Sequence, residues 1–254
     1  MVRSARMALV QLLLAGVCLN AAAAATPEIG DTVAVKNDVT AETPDAKRKL
    51  EKGAKVFQDE ILVTSDTATA EIELLDKTKL AVGSSARIVL DKFVYDANAA
   101  PGSISINLSK GAFRFITGAS PKTAYEIKTP TATMGVRGTI FDVFVADNGE
   151  TVVLLHEGGV DVCSAPGSCR RHDQVGHILH VGLDRIISAP LRWDGTILKG
   201  IGVATAFPFV GKKLLIDPVR RLTQGELLGA PKRILQAPLK GLGGLGRALP
   251  RLPF

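Results

Sequence analysis

Between Thr67 and Val82 the chain reads TATAEIELLDKTKLAV, and its side chains alternate residue by residue. Ala70, Ile72 and Leu74 point one way, while Glu71, Glu73 and Leu75 point the other. A period of two belongs to a strand with one buried and one wet face, not to a helix. The pattern recurs at intervals of roughly ten residues in ILVTSD, TKLAVGSS and ARIVLDKFVY, each segment closing on Asp, Gly or Ser. Regularly spaced short strands specify an all-β unit.

The strongest local signal lies further on. IFDVFVA and ETVVLLHE flank Asp147-Asn148-Gly149, and Asn-Gly supplies the positive φ that a tight hairpin requires. Phe141, Val143 and Val145 are expected to face apolar partners among Val152 to Leu155. Upstream, IGDTVAVKNDV reads as a strand with Val33 and Val35 on one face. The polar stretch Thr40–Lys55 reads as a loop or a short helix begun after Pro44, ANAAPGS as a small-residue linker, and SISINLSKGAFRFITG as two strands around Lys110-Gly111.

Composition supports this class. A chain of 254 residues, 46% hydrophobic and 22% charged, can bury a core, and 25 Gly with 13 Pro suit turns better than long helices. Collagen, coiled coil and multipass membrane architectures are excluded. The net charge of +6 is unevenly placed. Residues 26–190 hold 18 basic and 22 acidic side chains, whereas residues 191–254 hold 11 basic and only Asp194, Asp217 and Glu226. The basicity belongs to the C-terminal tail.

Residues 1–25, MVRSARMALVQLLLAGVCLNAAAAA, begin with two arginines, continue with an apolar run from Met7 to Leu19 and end in small residues. That is the pattern of a secretory signal peptide cleaved within Ala21–Ala25. A membrane anchor would need ~20 apolar residues, and a lipoprotein signal at Cys18 would need a small residue where Val17 stands. Export to the periplasm leaves Cys163 and Cys169, which in an oxidising compartment are expected to form a disulfide. Closing so short a loop stabilises by about 2.4 kcal/mol in the chain-entropy model. The C-x5-C spacing lacks the C-x-x-C geometry of a redox-active pair.

Other candidates for chemistry are sparse. Glu71 and Glu73 could pair as acid and base, yet they form the wet face of an amphipathic strand. His172, His177 and His180 with Asp173 could suggest zinc, but in QVGHILHVG the latter two histidines project to opposite faces. No G-x-S-x-G elbow, phosphate loop, H-E-x-x-H or G-x-G-x-x-G occurs. The sequence points to no enzyme and no cofactor.

With these residues laid out, residues 27 to 165 resemble the FecR-type periplasmic domain family. The resemblance rests on GDTVAV, on the block from LEKGAKVF to RIVLD, on KGAFRF, and most specifically on IKTPTATMGVRGTIFDV followed by LHEGGVDV. Pro130, Gly135, Arg137, Gly138, Thr139 and Phe141 form the core of that motif. The two glycines would permit backbone angles or close approaches closed to other residues, and Thr139 can bond a neighbouring backbone group. Arg137 would either hold an anionic ligand or partner, or satisfy a carboxylate such as Asp142 or a free carbonyl.

The resemblance implies an antiparallel β-sandwich or solenoid-like β-roll that senses or binds in signal transduction. Related regulators combine a cytoplasmic segment that handles a sigma factor, one spanning helix and this domain; here the first is missing and a cleavable signal replaces the anchor. The expected organisation is signal peptide 1–25, β-domain 26–190, and a poorly structured or short-helical Pro/Gly-rich basic tail 191–254. The expected partner is another envelope protein. An alternative is attachment of the tail to an anionic membrane or cell-wall surface through Lys212, Lys213, Arg220, Arg221, Lys232 and Arg233. Nucleic acid is an improbable partner for an exported chain.

Overall fold

The structure, a computed structural model, describes residues 26–95, 102–136, 138–164, 168–219 and 221–228. The leader, most of the ANAAPGS linker, Arg137, Arg220, Lys232 and Arg233 lie outside them. In chain order the strands are β1 (Glu28–Lys36), β2 (Val39–Glu42), β3 (Lys47–Lys49), β4 (Lys55–Phe57), β5 (Ile61–Thr64), β6 (Thr69–Leu74), β7 (Lys79–Val82) and β8 (Arg87–Val94). They continue as β9 (Ser103–Ile116), β10 (Tyr125–Lys128), β11 (Thr133–Val136), β12 (Ile140–Val145), β13 (Thr151–Glu157), β14 (Val160–Cys163), β15 (Cys169–His172) and β16 (Ile178–Val181). Two single-turn helices follow, α1 (Val203–Ala206) and α2 (Gln224–Leu227). The fold is all-β, as the strand pattern implies.

One long strand organises everything. The first half of β9 pairs with β8 and, in parallel, with β10; its second half pairs with β7 and β12. The sheet thereby turns over at Lys110-Gly111 into two layers. One layer runs β4-β1-β6-β7-β9-β12-β13-β16, and the other β3-β2-β5-β8-β9-β10-β11-β14-β15. The two strands expected around Lys110-Gly111 are therefore one strand crossing between layers. Gly111 makes the crossing with φ of +96°, and a Cβ there would lie 2.5 Å from that of Ala86.

The main core fills the space between the layers. Ile72, Leu80, Phe113, Phe115, Phe141, Val143 and Val153 meet Leu62, Ile88, Ile106, Ile127, Met134 and Val162 from the opposite layer. Phe115 packs edge-on against Tyr125, with ring centroids 5.7 Å apart. The β6 alternation is as the sequence implies: Ala70, Ile72 and Leu74 are buried and Leu75 is exposed. The β12–β13 hairpin also forms, with Phe141 opposite Leu155 and Val143 opposite Val153, although Val145 faces Thr151.

Two local expectations need correction. Thr40–Lys55 is neither loop nor helix: β2 and β3 form a hairpin whose turn is closed by Thr43, which accepts from the Ala46 amide at 3.1 Å. Its anchor is Arg48, which grips Glu60 at 2.8 to 3.0 Å and stacks over Phe57. The segment reads as polar because only Val39, Ala41 and Leu50 turn inward. Val33 and Val35 do not share a face, because a bulge between Thr32 and Ala34 shifts the register. Val35 packs on the main core, whereas Val33 lies against Ala81, Phe209 and Ile216 on the outer side.

That outer side is covered. Ala112, Phe144, Val152, Leu154 and Ile178, the outward residues of β9, β12, β13 and β16, pack under Trp193, Leu198, Ala206, Phe207, Val210 and Leu227. The described part of the tail has the expected short helices, but it is no solvated extension: residues 191–219 and 221–228 pack on the sheet through these buried side chains. The described residues therefore form three layers, and β12 and β13 are buried on both faces.

Candidate functional site

Three features of the sheet could carry function: the VRGT motif, a charged cluster under the C-terminal segment, and a cleft beside the β12–β13 hairpin. In the motif, Gly138 has φ of +67°, and Gly158 approaches so closely that a Cβ there would lie 2.3 Å from the Gly138 carbonyl. Thr139 donates its hydroxyl to Gly159 O at 2.6 Å, and its amide donates to Thr117 Oγ1 at 2.7 Å. The motif thus pins the start of β12 to β9 and to the β13–β14 turn. Phe141 is wholly buried against Phe115, while Pro130 is exposed at a turn beside Gly149. Gly135 sits in β11 with open space around it, so no close approach requires glycine there.

The charged cluster follows from strand register. Arg114 on β9 faces Asp142 on β12, and on the neighbouring strand β13 His156, at a register shift, reaches the same carboxylate. Arg114 donates from Nε to Asp142 Oδ1 at 2.6 Å and from Nη2 to Oδ2 at 2.9 Å, a bidentate pair. Its Nη1 reaches Asp217 Oδ2 at 3.4 Å, and Arg221 donates from Nε to the same oxygen at 2.9 Å. Arg221 also donates to Glu157 at 2.8 Å. His156 Nε2 lies 3.0 Å from Asp142 Oδ2 and 2.9 Å from Arg114 Nη2. One ring nitrogen serves one of them at a time, donating to the carboxylate in one tautomer and accepting from the guanidinium in the other.

Arg114 and Asp142 side chains are each 1% exposed. Burial by itself pushes the Asp142 carboxyl up, but the opposing pull of His156 and Arg114 is larger and holds it at about 2. Burial likewise disfavours the Arg114 charge, and Asp142 and Asp217 more than restore it. An arginine, a carboxylate and an imidazole in contact resemble a catalytic constellation. Covered by Phe209, Asp217 and Arg221, however, they staple the C-terminal segment to the sheet. Asp142, one carboxylate considered for Arg137, is thus held by Arg114.

The cleft encloses about 500 Å³, within the range of ligand pockets. The Ser84-Ser85 turn, Lys110, the hairpin from Phe144 to Glu150, and residues 198–205 line it. Phe144, Leu198 and Ile201 supply apolar surface. Lys110 is paired with Asp147 at 2.8 Å, and Glu150 with His180 at 3.0 Å. The C-terminal segment builds one wall, so the cleft exists only because that segment is docked.

Cys163 and Cys169 are disulfide-bonded across a register pair of β14 and β15. His172 and His180 do not converge: His172 Nε2 donates to the His177 carbonyl at 3.0 Å, and His180 meets Glu150. Among the described residues no group of three or more His, Cys, Asp or Glu could hold a metal. Of the surface-binding candidates, Lys212 and Lys213 are exposed, whereas Arg221 is committed to Asp217 and Glu157. Sequence reasoning missed Arg114 and His156 as site residues and the inward turn of Trp193, Phe207 and Asp217. A lone charge inside an apolar strand, as in AFRF or VLLHE, was the available signal.

No curated protein matches the chain. Two crystal structures of a candidate anti-sigma factor from Parabacteroides distasonis are similar at 16% identity and a TM-score of 0.40, covering 50% of this chain and 57% of that one. The chain thus spans little more than half of that protein's length. Residues 60–161 match the FecR protein family model. From the edge of β5 into β14, the chain is therefore similar to the FecR protein family.

Proposed function

We propose that this protein is a non-catalytic binding and sensing module of the bacterial envelope, acting in signal transduction through contact with another protein. The match of residues 60–161 to the FecR family supports the reading most directly. Two observations favour binding over catalysis. The Arg114–Asp142–His156 cluster is sealed, while the open cleft presents a mixed apolar and polar lining, with no group of metal ligands among the described residues. Export is supported by the N-terminal pattern and by the disulfide. No helix among the described residues is long and apolar enough to cross a membrane.

The test is a photo-crosslinkable residue at Asn148, on the cleft rim, compared with one at Asp45, in the β2–β3 turn of the opposite layer. A discrete adduct from Asn148 alone, recovered from the periplasmic fraction, is the expected result. Equal adducts from both positions, or none from either, would contradict the proposed cleft. A second reading, attachment to an anionic surface through the tail, is favoured by Lys212 and Lys213, which are exposed and have no carboxylate partner among the described residues.

A further inference from the structure

Residues 212–219, KKLLIDPV, form a turn whose inward and outward residues are sharply divided. Ile216 and Asp217 are buried, 3% and 2% exposed, and both are tied down. The Ile216 amide donates to Glu71 Oε2 at 2.9 Å, and Asp217 accepts from Arg114 and Arg221. The Leu214 amide donates to the Asp217 carbonyl at 3.0 Å and closes the turn, while Leu214 packs with Val33 against Ala81, Phe209 and Ile216. This anchoring directs the remaining residues outward. Leu215 is 67% exposed and Val219 57%, with Lys212, Lys213 and Pro218 exposed around them.

Large aliphatic side chains held in water by a fixed backbone mark a contact surface when they cluster. The carboxylates beside the turn are committed elsewhere, Glu71 to the Ile216 amide and Asp217 to Arg114 and Arg221, and Lys212 and Lys213 form no ion pair among the described residues. Two exposed apolar side chains on the same turn as two exposed lysines match an interface with an apolar interior and anionic headgroups.

We propose that the turn Lys212–Val219 is this protein's contact with an anionic lipid surface. Leu215 and Val219 enter the interfacial layer, and Lys212 and Lys213 pair with headgroup phosphates. The buried Arg114–Asp217 contact acts at a distance, fixing the turn in its outward attitude. The inference rests on the attachment reading and narrows it from the whole tail to four side chains.

Co-sedimentation of the secreted chain with vesicles tests it, using equal parts phosphatidylcholine and phosphatidylglycerol against phosphatidylcholine alone. Binding to the mixed vesicles only is expected. Each lysine near an anionic leaflet is worth roughly fivefold in partitioning, so Lys212→Glu with Lys213→Glu should lower it by at least about 25-fold. Leu215→Asp should lower it by about tenfold or more, while Leu183→Asp, at an exposed position elsewhere, should leave it unchanged. These substitutions lie on the surface, and Trp193 emission checks that the segment stays docked. Vesicle binding that survives the 212, 213 and 215 variants but disappears on removal of residues 229–254 would overturn this proposal and keep the attachment reading. Failure to bind the mixed vesicles at all would overturn both.

Discussion

Arg114 holds Asp142 through two hydrogen bonds, Nε to Oδ1 at 2.6 Å and Nη2 to Oδ2 at 2.9 Å, on the face of the sheet that the C-terminal segment covers. Its third contact, to Asp217 at 3.4 Å, links that face to the segment itself. One guanidinium therefore joins β9, β12 and the C-terminal segment at Asp217. Removing one member of a buried ion pair strands the other charge and costs about 3–5 kcal/mol. Asp142→Leu and Arg114→Met should each lower the urea midpoint accordingly. The double variant should cost less than the two singles combined, and additive losses would show that the pair is not coupled.

Acid should weaken the fold in two windows. Burial lowers the His172 pKa in the folded protein, outweighing the hydrogen bond to His177 that favours its charged form. A depressed imidazole contributes stability that is complete above the unfolded pKa of about 6.5 and is lost as pH falls toward the folded value. Asp142, held at about 2 against an ordinary 3.8, contributes stability lost as pH falls from about 4 toward 2. That contribution amounts to about 2 kcal/mol. Denaturation midpoints across this range should show both steps. His172→Gln should remove the first and Asp142→Asn the second; retention of either step in its variant would reassign it.

The disulfide closes a short loop at the end of the β14–β15 pair. Replacing Cys163 and Cys169 by Ser should cost about 2.4 kcal/mol and leave the fold intact. Circular dichroism with urea titration measures both, and loss of strand structure in the double variant would mean that the bridge is required for folding. Thiol counting on the denatured exported protein should find neither cysteine free.

Phe207 lies wholly buried, 5.5 Å from the Trp193 ring centroid, over Phe144 and Leu154. Phe207→Ala should cost about 3–5 kcal/mol. If the segment docks as drawn, limited trypsin digestion of this variant should cut first at Arg192, Lys199, Lys212 and Lys213. Cleavage beginning instead within β6–β9 would show that the residue belongs to the main core.

Particular residues show what the sequence could and could not disclose. The β12–β13 hairpin was legible because Asn148-Gly149 fixes the turn and alternation fixes both strands. The two strands expected around Gly111 became one because a single glycine can bend a strand without breaking it. The β2–β3 hairpin was hidden by its charges, whose pairing depends on Glu60, twelve residues from Arg48. The inward turn of residues 191–228 was hidden by composition: six prolines and ten glycines after residue 190 mask Trp193, Phe207 and Phe209, which bury themselves singly rather than on a periodic face. Arg114 and Asp142 could have been suspected, since each interrupts an apolar run whose other residues are buried on both faces.

Both the cleft and the lipid-facing turn exist only while residues 191–228 lie on the sheet. Trp193 is the chain's single tryptophan and is 2% exposed within that segment, so its fluorescence reports docking without interference. Emission and acrylamide quenching of the native protein test the arrangement most directly. Blue-shifted, quencher-protected emission is predicted, moving toward the solvent-exposed indole spectrum in Phe207→Ala. Emission of an exposed indole in the unaltered native protein would contradict the docked segment, and with it the two surfaces built upon it.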